Sequence, residues 1–137
     1  MEEWRFAVRT RLDADQARRE GRRLAAALGF SRADAEQIAL AVSELAMNLH
    51  RYAVDGELVL RPVADAARQG LEIESRDAGP GIADPILALQ DGCTTGGGLG
   101  SGLPAARRQM DDFELVTHPS GTRIVARKWL THPSSSA

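Results

Sequence analysis

Glu44 and Asn48 stand four residues apart in a stretch whose apolar residues recur at a helical period, so both side chains project from one strip, extended backward by Ala41 and Gln37. A carboxylate there can orient or deprotonate a nucleophile, and an amide oxygen one turn away can ligate a hard cation such as Mg2+. Taken alone, the same pair also reads as the solvated boundary of a core-facing helix. Further on, Asp77-Ala78-Gly79-Pro80-Gly81 closes a strand pattern with a carboxylate and a glycine turn. Such turns end many strands. In a site, the carboxylate would accept from a purine amino group while Gly79 and Gly81 let the backbone approach the base. Residues Thr94 to Gly102 then run through five glycines into Leu103 to Met110, a helix whose first turn tolerates Pro104. Unpaired glycine amides and the helix dipole both favour phosphate at such a start. A flexible linker has no reason to sit mid-domain with a helix attached, so phosphate binding is the stronger reading. No Lys-Ser or Lys-Thr follows the glycines, which excludes a Walker loop. The glycines do not follow the first strand, which excludes a dinucleotide fingerprint.

Positioning these groups requires a helix, a strand end and a second helix start to converge. Trp4 to Arg11 alternates with Trp4, Phe6 and Val8 on one side, which predicts a strand. Asp13 is expected to cap a helix running to Leu28 and stopped by Gly29, with Ala17, Leu24 and Leu28 on one face. Ser31 with Asp34 signals the start of a longer helix reaching about Tyr52, striped by Ile38, Val42, Leu45 and Leu49. Glu57 to Val63 and Leu71 to Arg76 read as strands around the polar turn Asp65 to Gly70. Phe113 to Thr117 and Thr122 to Trp129 read as a final hairpin about Pro119-Ser120-Gly121. Between Asp77 and Gly102 lie eight of the thirteen glycines together with Pro80 and Pro85, which predicts loops and one short helix near Pro85 to Gln90. Residues 1–130 form a single expected domain, and Thr131 to Ala137, without apolar anchors, an expected disordered tail. Two successive helices separate the first two strands, so βαβα alternation fails. The expected fold class is α+β, a two-layer sandwich with helices on one face of a mixed, mainly antiparallel sheet.

The order of these motifs resembles the GHKL (Bergerat-fold) ATPase superfamily, and within it the small RsbT-like serine/threonine kinases of bacterial partner switching. The resemblance is carried by Ser43 to Asn48 with Tyr52-Ala53, Asp77 to Ile82, Gly97 to Pro104, and Gly121-Thr122 to Trp129-Leu130. It implies ATP and Mg2+. Glu44 would then be the general base, Asn48 the Mg2+ ligand, and Asp77 the carboxylate reading adenine, with Thr122 supporting it through water. Gly79 and Gly81 would match the first glycine box, and Gly98, Gly100 and Gly102 the second, which wraps the phosphates in a mobile lid, with Ile82, Gly97, Leu99 and Ser101 also among the nucleotide-binding residues. Ser101 departs from the pattern, since the similar kinases carry an aliphatic residue there. The activity implied is transfer of the ATP γ-phosphoryl to a serine or threonine of a STAS-domain antagonist, with a PPM-type phosphatase as second partner. An RsbW-type anti-sigma factor that sequesters a sigma subunit shares every motif quoted. A histidine-kinase catalytic domain is weakened by the lack of a preceding phospho-acceptor helix pair.

Composition bounds the rest. A chain of 137 residues with 43% apolar and 26% charged content supports one core. A formal charge of −2 gives no global field for nucleic acid or an anionic membrane. The longest apolar stretch, Leu24 to Phe30, is far short of a bilayer span, and Met1-Glu2-Glu3 is acidic where a secretory signal would be basic, so a cytoplasmic location is expected. Cys93, the single cysteine, reads as a small loop residue. His50, His118 and His132 are scattered and make no metal site. Arg18, Arg19, Arg22 and Arg23 line the polar face of the first helix, a solvated run that also suits acidic groups of a partner. Trp4, Phe6, Phe113 and Trp129 read as core rather than as a stacking platform.

Overall fold

A computed structural model of the chain describes residues 2–52, 56–79 and 103–130. Its elements are β1 (Trp4–Ala7), α1 (Arg11–Leu28), α2 (Arg32–Tyr52), β2 (Glu57–Ala64), β3 (Gln69–Asp77), α3 (Leu103–Gln109), β4 (Asp112–His118) and β5 (Gly121–Trp129). The first strand stops earlier than its alternation suggests because Thr10, not Asp13, caps α1. The Thr10 hydroxyl accepts the Asp13 N–H at 3.2 Å, while the Asp13 carboxylate accepts the N–H groups of Arg9 and Thr10 at 2.9 and 3.1 Å. This reciprocal capping box pulls residues 8–10 out of the strand. Those bonds, the Arg9 amide first, hold the Asp13 carboxyl below its ordinary range. The helix ends as expected at Gly29, whose φ of 103° lies in the left-handed region that favours glycine. At the start of α2 the Asp34 N–H donates to the Ser31 hydroxyl at 3.1 Å.

The five strands form one sheet in the order β1-β2-β3-β5-β4, and every pair is antiparallel. The two-layer α+β sandwich is as expected. The sheet is more uniform than the mixed one anticipated, because two helices between β1 and β2 return the chain in the opposite direction. Leu58, Leu60, Leu71, Ile73, Ile124 and Ala126 face the helices and meet the α2 stripe of Ile38, Val42, Leu45 and Leu49. Trp4, Phe6 and Phe113 pack partly buried against this core. Trp129 does not. Alternation along β5 turns Lys128 inward instead, where its buried ammonium donates to the Gln109 carbonyl at 2.9 Å and closes the C-terminal end of α3. Among the described residues no helix is long and apolar enough to cross a membrane. Of the four α1 arginines, Arg22 pairs with Glu36 of α2 at 2.8 Å and Arg23 with Glu20 at 2.7 Å.

On the face away from the helices, Val59, Glu74 and Val125 stand opposite one another across three strands. Glu74 is only 2% exposed, and its carboxylate accepts from three arginines. Arg76 donates through Nε and Nη2 at 2.9 Å each, Arg123 through Nε at 2.5 Å and Arg61 through Nη1 at 2.9 Å. Beside it, Glu72 takes Arg127 at 2.9 Å and also Arg61, which reaches on to Glu3 at 3.0 Å. Arg76 foremost, then Arg123 and Arg61, push the Glu74 carboxyl down to about 2 against the opposing effect of burial. A carboxyl depressed on folding stabilises the fold above its unfolded value of 4.5 and ceases to do so as pH falls toward about 2. Urea unfolding should therefore show Glu74→Gln less stable than the parent chain by roughly 3 kcal/mol at pH 7, with the gap shrinking from about pH 5 and closing toward about pH 2. A gap independent of pH would contradict this account.

Candidate functional site

Along the helix-facing side of the sheet, apolar side chains give way to polar ones at one end. On β3 the inward series runs Leu71, Ile73, Ser75, Asp77. On β5 it runs back from Ala126 and Ile124 to Thr122, and on β4 from Phe113 and Leu115 to Thr117. Asp77 stands opposite Thr122, and Thr122 opposite Thr117, so the three form one cross-strand row. The two threonine hydroxyls lie 2.9 Å apart, with Thr122 8% exposed. One Asp77 oxygen, Oδ1, accepts the Gly79 N–H at 2.8 Å, which folds the chain back where the strand ends. Its other oxygen has no partner among the described residues.

Gly121 is fixed by this arrangement. A Cβ built on it would lie 2.3 Å from the Asp77 carbonyl oxygen, so the β4–β5 turn enters β5 against the β3 backbone in a space that admits no side chain.

The C-terminal turn of α2 is brought to the same end of the sheet. His50 Nδ1 lies 3.2 Å from the Arg9 carbonyl, which requires the protonated Nδ1 tautomer as donor. The Val8 N–H bonds the Gly56 carbonyl at 3.0 Å, and the next residue, Glu57, stands opposite Arg76. Asn48, one turn from the helix end, and Glu44, one turn before it, are therefore carried to the Asp77 end by the packing of α2 on β2 and β3. Both are half-buried, and neither has a hydrogen-bond partner among the described residues. A carboxylate, an amide and a second carboxylate oxygen thus stand uncommitted at one end of the sandwich.

Of the residues singled out in the sequence, Glu44, Asn48, Asp77, Gly79 and Thr122 are placed at this end. Gly81, Ile82, Gly97, Gly98, Leu99, Gly100, Ser101 and Gly102 lie outside the described residues, as do Cys93, His132, the short helix expected near residues 85–90 and the tail 131–137. Leu103, which follows the glycine segment, is buried at the start of α3, and α3 packs against α2. Thr117 was not singled out. Its signal was the alternation of β4, which puts it on the face of Phe113 and Leu115, opposite Thr122 across the hairpin. His50 has a structural use, as a link between α2 and the segment after β1.

Residues 6–128 match a family described as Histidine kinase-like ATPase domain. The chain is 44% identical over 124 residues to the serine/threonine-protein kinase RsbT of Bacillus subtilis (strain 168), a match spanning 90% of this chain and 93% of that protein. It is also similar to a crystal structure of the RsbU and RsbW domains of a Mycobacterium tuberculosis protein, with a TM-score of 0.66 and 19% identity. That match covers 97% of this chain and 34% of the other, so the chain spans about a third of its structural relative, and the likeness concerns the fold.

The steric fit at Gly121 can be tested apart from any ligand. Gly121→Ala is expected to cost about 1–3 kcal/mol of stability and to speed amide hydrogen exchange around Asp77 and Thr122, while the Trp129 end of the same strand pair stays protected. Uniform loss of protection along β5 would show that the glycine acts on the whole hairpin instead.

Proposed function

Given that the chain belongs to the histidine kinase-like ATPase domain family, we propose that it is a serine/threonine protein kinase that transfers the γ-phosphoryl of ATP to a hydroxyl of a partner protein. The observation that carries this reading is that α2 and β3 bring Glu44, Asn48 and Asp77, each with polar atoms unpartnered among the described residues, to the end of the sheet next to the Gly79 turn. The kinase named above, at 44% identity, supports it.

Asp77 suits an adenine. With Oδ1 held by the Gly79 N–H, Oδ2 faces the amino group as an acceptor, whereas the carbonyl of guanine would meet it with like polarity. Thr122, hydrogen-bonded to Thr117, supports the base from the neighbouring strand, through water. Following the resemblance, the glycine segment 97–102 would supply backbone amides to the phosphates. The Asn48 amide oxygen fits a hard cation, and Asn48 would hold Mg2+. When bound, Mg2+ neutralises charge on the phosphate oxygens. Glu44, one helical turn away, accepts the proton of the acceptor hydroxyl as that oxygen bonds to the γ-phosphorus and the bond to ADP breaks.

We take the acceptor to be a folded protein that itself presents the hydroxyl to Glu44. Following the resemblance, we assign it to a STAS-domain antagonist in the cytoplasm. Phosphorylation adds about −1.5 to −2 charges beside Glu44, so the product dissociates and frees this chain for a second partner, a PPM-type phosphatase. A sigma-sequestering role uses the same residues, and no observation favours it.

Asp77→Asn should weaken ATP binding by roughly 5- to 150-fold in calorimetry, the consequence of one unmatched buried polar group. Equal affinity of the parent chain for GTP and ATP would remove Asp77 from its role. Asn48→Ala should abolish the Mg2+-dependent part of nucleotide binding. By contrast, Glu44→Gln should retain binding and lose transfer to a STAS-domain acceptor by roughly 10²- to 10⁴-fold in a labelled-ATP assay. Label on histidine, or on this chain alone, would contradict the reading.

A further inference from the structure

On the sheet face opposite the helices, at the β4–β5 turn, an open cleft of about 280 Å3 is lined by Arg76, Arg123, Val116, His118, Ser120 and Asp77. Arg76 and Arg123 are direct cross-strand neighbours. Like charges in that relation are destabilising unless an anion lies between them. Glu74 supplies one on the inner side, through Arg76 Nε at 2.9 Å and Arg123 Nε at 2.5 Å. That carboxylate is already saturated, because Arg61 also donates to it at 2.9 Å. On the outer side the arginines border the cleft. Arg76 keeps only a long contact to Glu57 at 3.6 Å, and Arg123 has no further partner among the described residues. Their side chains are 42% and 54% exposed, so solvent reaches the edges that Glu74 leaves unused.

Anchoring through Nε pre-orients both guanidinium groups, so an incoming anion meets donors whose rotamers are already fixed. The size of the cleft limits what can enter. Small-molecule pockets begin near 300 Å3, so this space suits a compact group. A carboxylate brings two acceptor oxygens in one plane, whereas a phosphate brings three terminal oxygens in a tetrahedral spread and a second negative charge, so it can meet both guanidinium groups and also the His118 ring and Ser120 hydroxyl beside them. The nearby acids do not fill the site: Glu74 is saturated, Glu57 pairs with Arg5 at 3.3 Å, and the Asp77 side chain holds Gly79 at the opposite face. We propose that the cleft between Arg76, Arg123, His118 and Ser120 binds a phosphate dianion, either free or carried on a serine or threonine side chain of a protein. The cleft borders Asp77 and Thr122 at the same end of the sheet, but its arginines and His118 stand on the face opposite Glu44 and Asn48, and the proposal does not rest on the kinase reading.

The test is a two-dimensional NMR titration that follows the guanidinium Nη–H resonances of Arg76 and Arg123, with their Glu74-bound Nε–H signals alongside, in the full chain at constant ionic strength. The probes are inorganic phosphate, a phosphoserine peptide and the unphosphorylated peptide. Saturable shifts at Arg76 and Arg123 are expected with the first two. Tighter binding of the phosphopeptide identifies a modified protein side chain as the source, and equal or tighter binding of inorganic phosphate identifies the free anion. Arg123→Gln should weaken binding by about tenfold. Because that change also loosens the Glu74 cluster, His118→Gln, which touches no ion pair among the described residues, provides the second variant, with an expected loss of about fivefold. Absence of saturable shifts at either arginine, binding unaffected by both variants, or equal binding of the unphosphorylated peptide would overturn the proposal.

Discussion

The pairing register of β3 with β5 is the constraint on which everything else in this sandwich depends. β3 is hydrogen-bonded on both sides, to β2 and β5, and its residues alternate between two unlike environments. Leu71 and Ile73 face the helices, and Glu72 and Glu74 face the arginines. A slip of one residue would put carboxylates into the apolar core and expose the leucine and isoleucine. The same register sets Asp77 against Thr122 and Arg76 against Arg123. At the turn it is enforced by sterics, since the Asp77 carbonyl oxygen occupies the space a side chain at residue 121 would need.

The two faces of the sheet are stabilised by different physics. Toward the helices, burial of aliphatic side chains drives the packing and needs no partner geometry. On the far face no layer among the described residues covers the strands, yet Val59 and Glu74 are as buried as core residues. The aliphatic stems of the arginines shield them while the guanidinium heads reach solvent. A carboxylate so placed is tolerable because all its acceptor sites are filled by charged donors. The helix-facing side can then end in Glu44, Asn48 and one oxygen of Asp77, which have no hydrogen-bond partner among the described residues.

Much of this was legible in the sequence, and the failures have identifiable causes. Helical periodicity marked α2 because Ile38, Val42, Leu45 and Leu49 all bury against the sheet. Glycine and serine caps marked the α1–α2 junction. The Glu-x-x-x-Asn strip and the Asp-x-Gly turn were visible because residue type and spacing along one element determine which side chains share a face. Spacing points to Asp13 rather than Thr10 as the cap because both side chains take part in one reciprocal box, and spacing alone does not say which residue is outside the helix. Trp129 was assigned to the core on residue type, whereas alternation from Ile124 and Ala126 sends it to the other face. The Glu72 and Glu74 network has no signature in the sequence. A Glu-x-Glu pattern on a strand looks solvated until the neighbouring strands bring arginines to it, and that information belongs to the fold.

Trp129 closes β5 at the end away from Asp77. Its indole N–H donates to the Asp112 carboxylate at 2.8 Å, and the Arg68 guanidinium lies 3.9 Å from the ring centroid. The ring thus bridges β4, β5 and the β2–β3 turn, three segments that meet there only in the native register. An indole in contact with both a carboxylate and a guanidinium has an emission spectrum sensitive to each. The chain contains two tryptophans, and the other, Trp4, sits on the edge strand β1. With Trp4 replaced by phenylalanine, fluorescence would come from a single site that reports sheet closure from the inside, without an attached dye. Because this reporter lies at the far end of the sheet from the polar row, it separates loss of the fold from events at the Asp77 end.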